Sequence, residues 1–202
     1  MYIELHASSA FSFLDGSSLP ETLVERAAAL GYPALALLDR DGVYGAPRFH
    51  LAAKKAGLKA IIGAELTISA DRGANRTSDA IFKLPVLIES PQGYKNLCRL
   101  LTMAKLRAPK GEGALTLDEI DGHTSGLIAL GGRAMLSGSR FGVGGLVDRL
   151  VGVFGRRGTY LELQRHLLRD EESDNHALRD LAGAFHLPIV ATNGKIPIGE
   201  IL

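Results

Sequence analysis

The sequence of 202 residues is 46% hydrophobic and 22% charged, the make-up of an ordinary globular protein with enough apolar content for a full core in one domain. A formal net charge of +1 gives no global electrostatic basis for tight nucleic-acid binding, so any DNA contact must come from a local patch or a partner segment. One cysteine, Cys98, excludes an internal disulfide, residues 1–15 lack the basic-then-apolar pattern of a leader, and no apolar run approaches the roughly 20 residues of a membrane span, which points to the cytoplasm with no membrane partner.

In chain order, Tyr2 to Leu5 reads as a short strand running into His6, after which a polar loop of small residues carries Asp15-Gly16 towards a helix. Ser18-Leu19-Pro20-Glu21 has the form of a capping box; Leu23, Val24, Ala27, Ala28 and Leu30 recur at helical spacing, and Gly31 supplies the stop. Residues 34–38 suit a strand buried on both faces, Asp39-Arg40-Asp41-Gly42 reads as a turn, and the next helix spans 47–56 with Gly57 ending it. Residues 59–68 are β-rich, 71–79 form a polar connection and 81–88 resume strand character. Ser90-Pro91 opens a helix whose buried stripe is Leu97, Leu100, Leu101, Ala104 and Leu106, with Cys98 inside it as core.

Residues 105–113 read as a solvated basic loop rather than a phosphate patch. After a strand over 126–130, Gly131-Gly132 and the glycines of 142–145 match neither the dinucleotide fingerprint nor the P-loop. A helix over 146–154, a strand over 159–164, a helix over 170–185 with acidic residues at its positive end, and a strand over 188–192 complete the chain. Seven strands with helices between most of them form repeated βα units.

His6, Asp15, Asp39, Asp41 and Glu65 fall at or just past strand ends, so a parallel sheet brings them to one rim. Imidazole and carboxylate donors suit zinc or manganese, and a cluster of such ions activates water for phosphoester hydrolysis. In the structural alternative, Asp15 and Asp41, each before a glycine, make turns, and His6 bonds loop backbone. Spacing alone leaves both open. Ser8, Ser9 and Ser12 lie near His6 and Asp15, but without a Gly-x-Ser-x-Gly elbow they do not specify a nucleophilic triad. His166 follows a strand and is either part of the rim or a packing or capping residue; His50, His123, His176 and His186 read as solvated or capping.

Several segments together carry a family resemblance. They are Tyr2-Ile3-Glu4-Leu5-His6 through Phe11-Ser12-Phe13-Leu14-Asp15-Gly16, Leu37 to Gly45, Gly63-Ala64-Glu65-Leu66-Thr67, Gly93 to Leu100, Leu161 to His166, and Val190-Ala191-Thr192-Asn193. In this order they resemble the amino-terminal PHP domain (polymerase and histidinol phosphatase) of bacterial C-family DNA polymerases, most closely the error-prone branch. The resemblance implies an α/β fold, a distorted seven-unit (β/α) TIM-like barrel of the PHP type, incomplete at its C-terminal end. It makes residues 1–202 a single PHP domain with 193–202 a divergent or truncated tail, from a parent family of DNA-directed DNA polymerases, nucleotidyltransferases of DNA replication, repair and damage-tolerant synthesis.

The departures from the family pattern bear on activity. The family opens with His-x-His, where this chain has His6-Ala7-Ser8, and it carries a histidine between two aspartates where Arg40 stands between Asp39 and Asp41. A guanidinium cannot ligate a metal and puts a permanent positive charge in a cation's place. A further family histidine corresponds to Lys105, a cysteine-bearing loop to Gly131-Gly132, and an Asp-x-His to Gly194-Lys195-Ile196. His6, Asp15 and Glu65 remain as residual ligands, too few for a polynuclear hydrolytic centre.

The resemblance thus implies a noncatalytic module with no polymerase site, no cofactor beyond weakly held zinc or manganese, and DNA contacted only indirectly. Its expected partner is the remainder of a C-family polymerase or other replication and repair proteins. A stand-alone binding module is another reading. The alternative from another class is a metal-dependent phosphoesterase, of 3'-5' exonuclease or phosphatase type, with a remodelled site. Arg40 is expected to replace the ion by pairing with Asp15 or Glu65, and its loss to destabilise the fold through unpaired buried carboxylates.

Overall fold

The structure, a computed structural model, describes residues 2–13, 15–69, 81–109, 113–137, 142–168 and 171–193, with backbone alone at 137, 142 and 143. The expected connection over 71–79, part of the loop over 105–113 and Gly194-Lys195-Ile196 lie outside the described residues. The chain divides into two compact units, Met1–Glu65 with Thr192–Leu202, and Leu66–Ala191. The expected seven strands form and follow one another in a single sheet in sequence order, as a PHP-type β/α fold requires.

The first unit contains β1 (Glu4–Ala7), α1 (Pro20–Ala29), β2 (Ala34–Arg40), α2 (Ala46–Ala56) and the start of β3 (Lys59–Ser69). β1 and β3 both pair in parallel with β2, the register placing Arg40 opposite Glu65. α1 and α2 pack over these strands through Leu23, Val24, Ala27, Phe49 and Ala53, which meet Ala7, Leu35, Leu37 and Leu58. Phe49 is fully buried, and withdrawing a side chain of that size from water contributes about 2–3 kcal/mol.

Two expectations change here. The Ser18 capping box does not form: Leu19 is the N-cap, without a side-chain bond, and Pro20 is the first helical residue. Proline holds the residue before it extended, so the helix starts past Ser18, whose carbonyl accepts from the Ala10 N–H, while Glu21 pairs with Arg48. Asp39 and Arg40 belong to β2 rather than to a turn, which begins at Asp41 with φ 48°. The helix stops at Gly31 and Gly57 stand, both in the left-handed region.

The second unit holds the rest of β3, β4 (Ile81–Ile88), α3 (Pro91–Leu106), α4 (Leu117–Ile120), β5 (Leu127–Gly131), α5 (Ala134–Ser137), α6 (Gly142–Phe154), β6 (Thr159–Gln164), α7 (Glu171–Phe185) and most of β7 (Ile189–Thr192). β5 and β6 are parallel, but β4 runs antiparallel to β5, with Val86 opposite Ala129, so the repeat of parallel βα units breaks there. The glycines of 142–145 form the first turn of α6 instead of a loop. On α3, Ser90 caps the start by accepting from Gly93 N–H, and Leu97, Leu100, Leu101 and Ala104 are buried. Leu106 is 84% exposed: nine residues beyond Leu97, at about 100° per residue, it points to the opposite face. Cys98 is half-buried beside Tyr94 rather than in the core.

A capping box absent from the sequence reading closes α4, where the Thr116 hydroxyl accepts from Glu119 N–H and the Glu119 carboxylate accepts from Thr116 N–H. The same carboxylate takes both arms of the Arg107 guanidinium, which also donates to the Ala114 carbonyl. Arg107, then burial in opposition, then Thr116 set the Glu119 pKa, which falls from 4.5 to about 2. A carboxyl whose folded pKa is depressed contributes stability that is present above its unfolded pKa and is lost as pH falls towards the folded one. Arg107→Met is therefore expected to cost about 1 kcal/mol at pH 6, after allowance for solvent screening, and progressively less in urea melts between pH 4.5 and pH 3.

Among the described residues no helix is long and apolar enough to cross a membrane.

Candidate functional site

β1 buries two polar side chains, of Glu4 and His6, and delivers the chain into the loop of residues 8–18. Glu4 was not singled out by the sequence, since nothing distinguishes it from a solvated strand glutamate. Its carboxylate accepts from His6 N–H at 2.7 Å, from the Tyr2 hydroxyl at 2.5 Å and from Asn193 N–H at 2.9 Å, which fastens both ends of the unit's chain to one group.

Asp39, 1% exposed, organises the mouth of this unit. Its Oδ1 accepts from Ser9 N–H at 2.9 Å, the Ser9 hydroxyl at 2.8 Å and the Ser12 hydroxyl at 3.0 Å, and its Oδ2 accepts from Gly45 N–H at 3.2 Å. The Ser12 oxygen in turn accepts from Arg40 N–H at 3.0 Å. Ser9 and Ser12 thus serve a structural carboxylate, and Ser8 donates to the Leu38 carbonyl at 3.2 Å. Close packing completes the loop: a Cβ on Gly16 would lie 2.1 Å from the Ser9 carbonyl oxygen, and one on Gly45 would lie 2.6 Å from Asp39 Oδ2.

The residual ligand set divides into two pairs. His6 Nε2 lies 3.3 Å from Glu65 Oε2, and Arg40 Nη1 donates to Asp15 Oδ2 at 2.8 Å. Asp15 foremost, with Asp41 and Glu65 adding their fields, raises the guanidinium pKa further above its already high value. The expected pairing of Arg40 takes the Asp15 branch, but not as a buried pair: the two side chains are 44% and 34% exposed. An ion pair so open to solvent contributes about 0.2–1 kcal/mol, so Arg40→Ala is expected to lower the melting temperature by no more than about 4 °C. Asp41 donates its backbone N–H to the Glu65 carbonyl and sits in the turn position of the structural alternative.

These donors do not fit a polynuclear metal centre. Among the described residues no three histidine, cysteine, aspartate or glutamate side chains converge as metal ligands would. Asp15 faces a guanidinium, Asp39 is committed to four donors, and His6 and Glu65 face each other.

Lys105 and His166 belong to the second unit. Lys105 is exposed in the last turn of α3. His166 is bound to the start of α7: its Nδ1 lies 2.8 Å from Glu171 Oε1, and its backbone N–H donates to Glu171 Oε2 at 2.5 Å. Burial pushes the Glu171 carboxyl up, and these bonds with that from Leu168 N–H more than reverse the shift, leaving it below the ordinary carboxylate range.

The profile of the PHP domain family matches residues 4–166. An error-prone DNA polymerase from Mycobacterium bovis is 38% identical over 209 residues, taking in 96% of this chain and 18% of that protein. Another, from Cutibacterium acnes, is 39% identical over 204 residues, taking in 95% of this chain and 18% of its own length. This chain therefore spans less than a fifth of these curated relatives. Among solved structures, a candidate metal-dependent phosphoesterase from Bifidobacterium adolescentis shares the fold with TM-score 0.67 at 16% identity, covering 98% of this chain and 89% of that one. An amidohydrolase from Chromobacterium violaceum, described with bound sulfate and no metal, superposes with TM-score 0.64 at 18% identity, covering 99% and 89%. With the strand order, the matched profile and relatives alike over almost its whole length, this chain belongs to the PHP domain family.

Proposed function

We propose that this chain serves as a noncatalytic PHP module of an error-prone C-family DNA polymerase, a single domain that scaffolds the polymerase body in the cytoplasm. DNA is contacted through that body rather than through this chain. The observation that carries the reading is the Arg40 guanidinium on Asp15, a fixed positive charge on a carboxylate that a metal site would need. The commitment of Asp39 to four loop donors supports it, because an ion drawn to that carboxylate would compete with the bonds that hold the mouth.

Elemental analysis tests the reading. The purified chain is expected to carry negligible zinc or manganese, and the double substitution Ser8→His with Arg40→His to carry measurably more. Stoichiometric metal in the unaltered chain would overturn it. One observation favours the alternative of a remodelled metal-dependent phosphoesterase: His6 and Glu65 stand close enough to share a single ion. That alternative requires metal-stimulated hydrolysis of a phosphoester that His6→Ala abolishes.

A further inference from the structure

Two loops of the first unit hold aromatic side chains in solvent. Phe13 is 80% exposed, Tyr44 54% and Phe11 39%. Leaving such rings in water forgoes the gain of burying them, and the two loops that carry the three are joined at the Asp39 carboxylate.

The backbone that carries them is fixed. Ser9 and Ser12 on the first loop and Gly45 on the second all donate to the one buried Asp39 carboxylate. The Arg48 guanidinium lies 5.7 Å over the Phe11 ring, and the Tyr44 ring covers Gly42 so closely that a Cβ there would come within 2.2 Å of it. Rigid aromatic anchors of this kind lose little freedom on binding, and they are the residues that dominate protein interfaces.

Aromatic rings beside guanidiniums also suit stacked single-stranded nucleic acid, and charge decides between the two. Arg48 is held by Glu21 at 2.6 Å and Arg40 by Asp15 at 2.8 Å. Asp41 and Glu65 also lie near Arg40, so among the described residues these four carboxylates outnumber the two guanidiniums beside the aromatic loops, which repels phosphates and attracts a basic chain. The curated relatives carry more than four-fifths of their length outside the matched region, so a partner segment is available within one polypeptide.

We propose that Phe11, Phe13 and Tyr44 form the docking surface for a basic protein segment with an apolar anchor, supplied by the polymerase chain outside this region. The proposal rests on the noncatalytic reading above but fails separately from it, since metal content tests that reading and peptide binding tests this one.

The probes are fluorescent peptides of about 15 residues tiling the rest of the Mycobacterium bovis relative, titrated with the intact 202-residue chain. At least one net-positive tile containing Leu, Phe or Trp is expected to bind at micromolar concentration and to weaken with added salt. Phe13→Ser is expected to reduce that binding about tenfold, and the triple substitution of Phe11, Phe13 and Tyr44 by Ser to abolish it, while Leu51→Ser on exposed α2 leaves it unchanged. All variants are checked for an unchanged melting temperature. Binding by no tile, binding only by acidic tiles, binding that survives the triple substitution, or displacement of the peptide by a thymidine dodecanucleotide would each overturn the proposal.

Discussion

Replacing Asp39 with alanine is expected to lower stability by about 3–5 kcal/mol, or roughly 6–20 °C in melting temperature. The side chain is buried and receives four hydrogen bonds, two from backbone N–H groups that cannot turn elsewhere. Each buried donor left without an acceptor costs about 1–3 kcal/mol, and the two serine hydroxyls recover part of that by rotating. The Arg40 N–H bond to Ser12 is coupled to the network, so its loss adds to the effect.

Asp39→Asn separates hydrogen bonding from volume. An asparagine keeps the Oδ1 acceptor for Ser9 and Ser12 but turns an NH2 group towards the Gly45 N–H, so about 1–2 kcal/mol is expected. Chemical denaturation of the three proteins should rank them wild type, Asn, Ala. Equal stability of the alanine variant and wild type would remove Asp39 as the organiser of both loops, and with it the rigidity of the aromatic patch.

The strands were legible because their signals are short-range. Residues 34–38 are a short apolar run of the kind a sheet buried on both faces uses, 81–88 carry strand character, and the glycines at 31 and 57 sit where left-handed backbone ends a helix. The antiparallel placing of β4 was not, since strand direction depends on the path of the chain through space and leaves no mark on a single strand's pattern. Ser18 shows one local rule overruling another: the capping box was present in letters, and Pro20 moved the helix start past it.

The candidate site was legible in position more than in role. His6 meets Glu65 and Arg40 meets Asp15 in the first unit, and the substitution of a guanidinium for an imidazole pointed to an ion pair with Asp15 or Glu65, of which the Asp15 pair forms. What could not be read is which carboxylate stays structural. Asp39, Asp41 and Asp15 are the same residue type on neighbouring loops, and their difference lies in burial and in donors 27 to 30 positions away in sequence. Glu4 is the same case, its partner Asn193 lying 189 positions away.

Gly93→Ala carries the other large expected effect, and its sign is opposite to the local rule. In a helix interior alanine ordinarily gains about 1 kcal/mol over glycine. Here a Cβ would lie 1.8 Å from the Gly126 carbonyl oxygen and 2.5 Å from its carbon. That carbonyl cannot withdraw freely, because it accepts from Glu89 N–H at 2.9 Å, and Gly126 itself has φ 75° with Ser90 Oγ and Gly93 N filling the space of its own missing Cβ. The start of α3 would have to move off β5, giving up the Ser90 cap and the Asn96 bond to the Ser125 carbonyl. A loss of at least about 3 kcal/mol is expected, seen as a melting temperature lower by roughly 6 °C or more, or as failure to accumulate in folded form. Gly152→Ala on α6 is the matched control: nothing lies within 4 Å of its Cβ position, so the ordinary gain of up to about 1 kcal/mol applies. The same chemical change should thus destabilise one helix and stabilise another, and equal effects at the two sites would mean that α3 and β5 do not meet backbone to backbone.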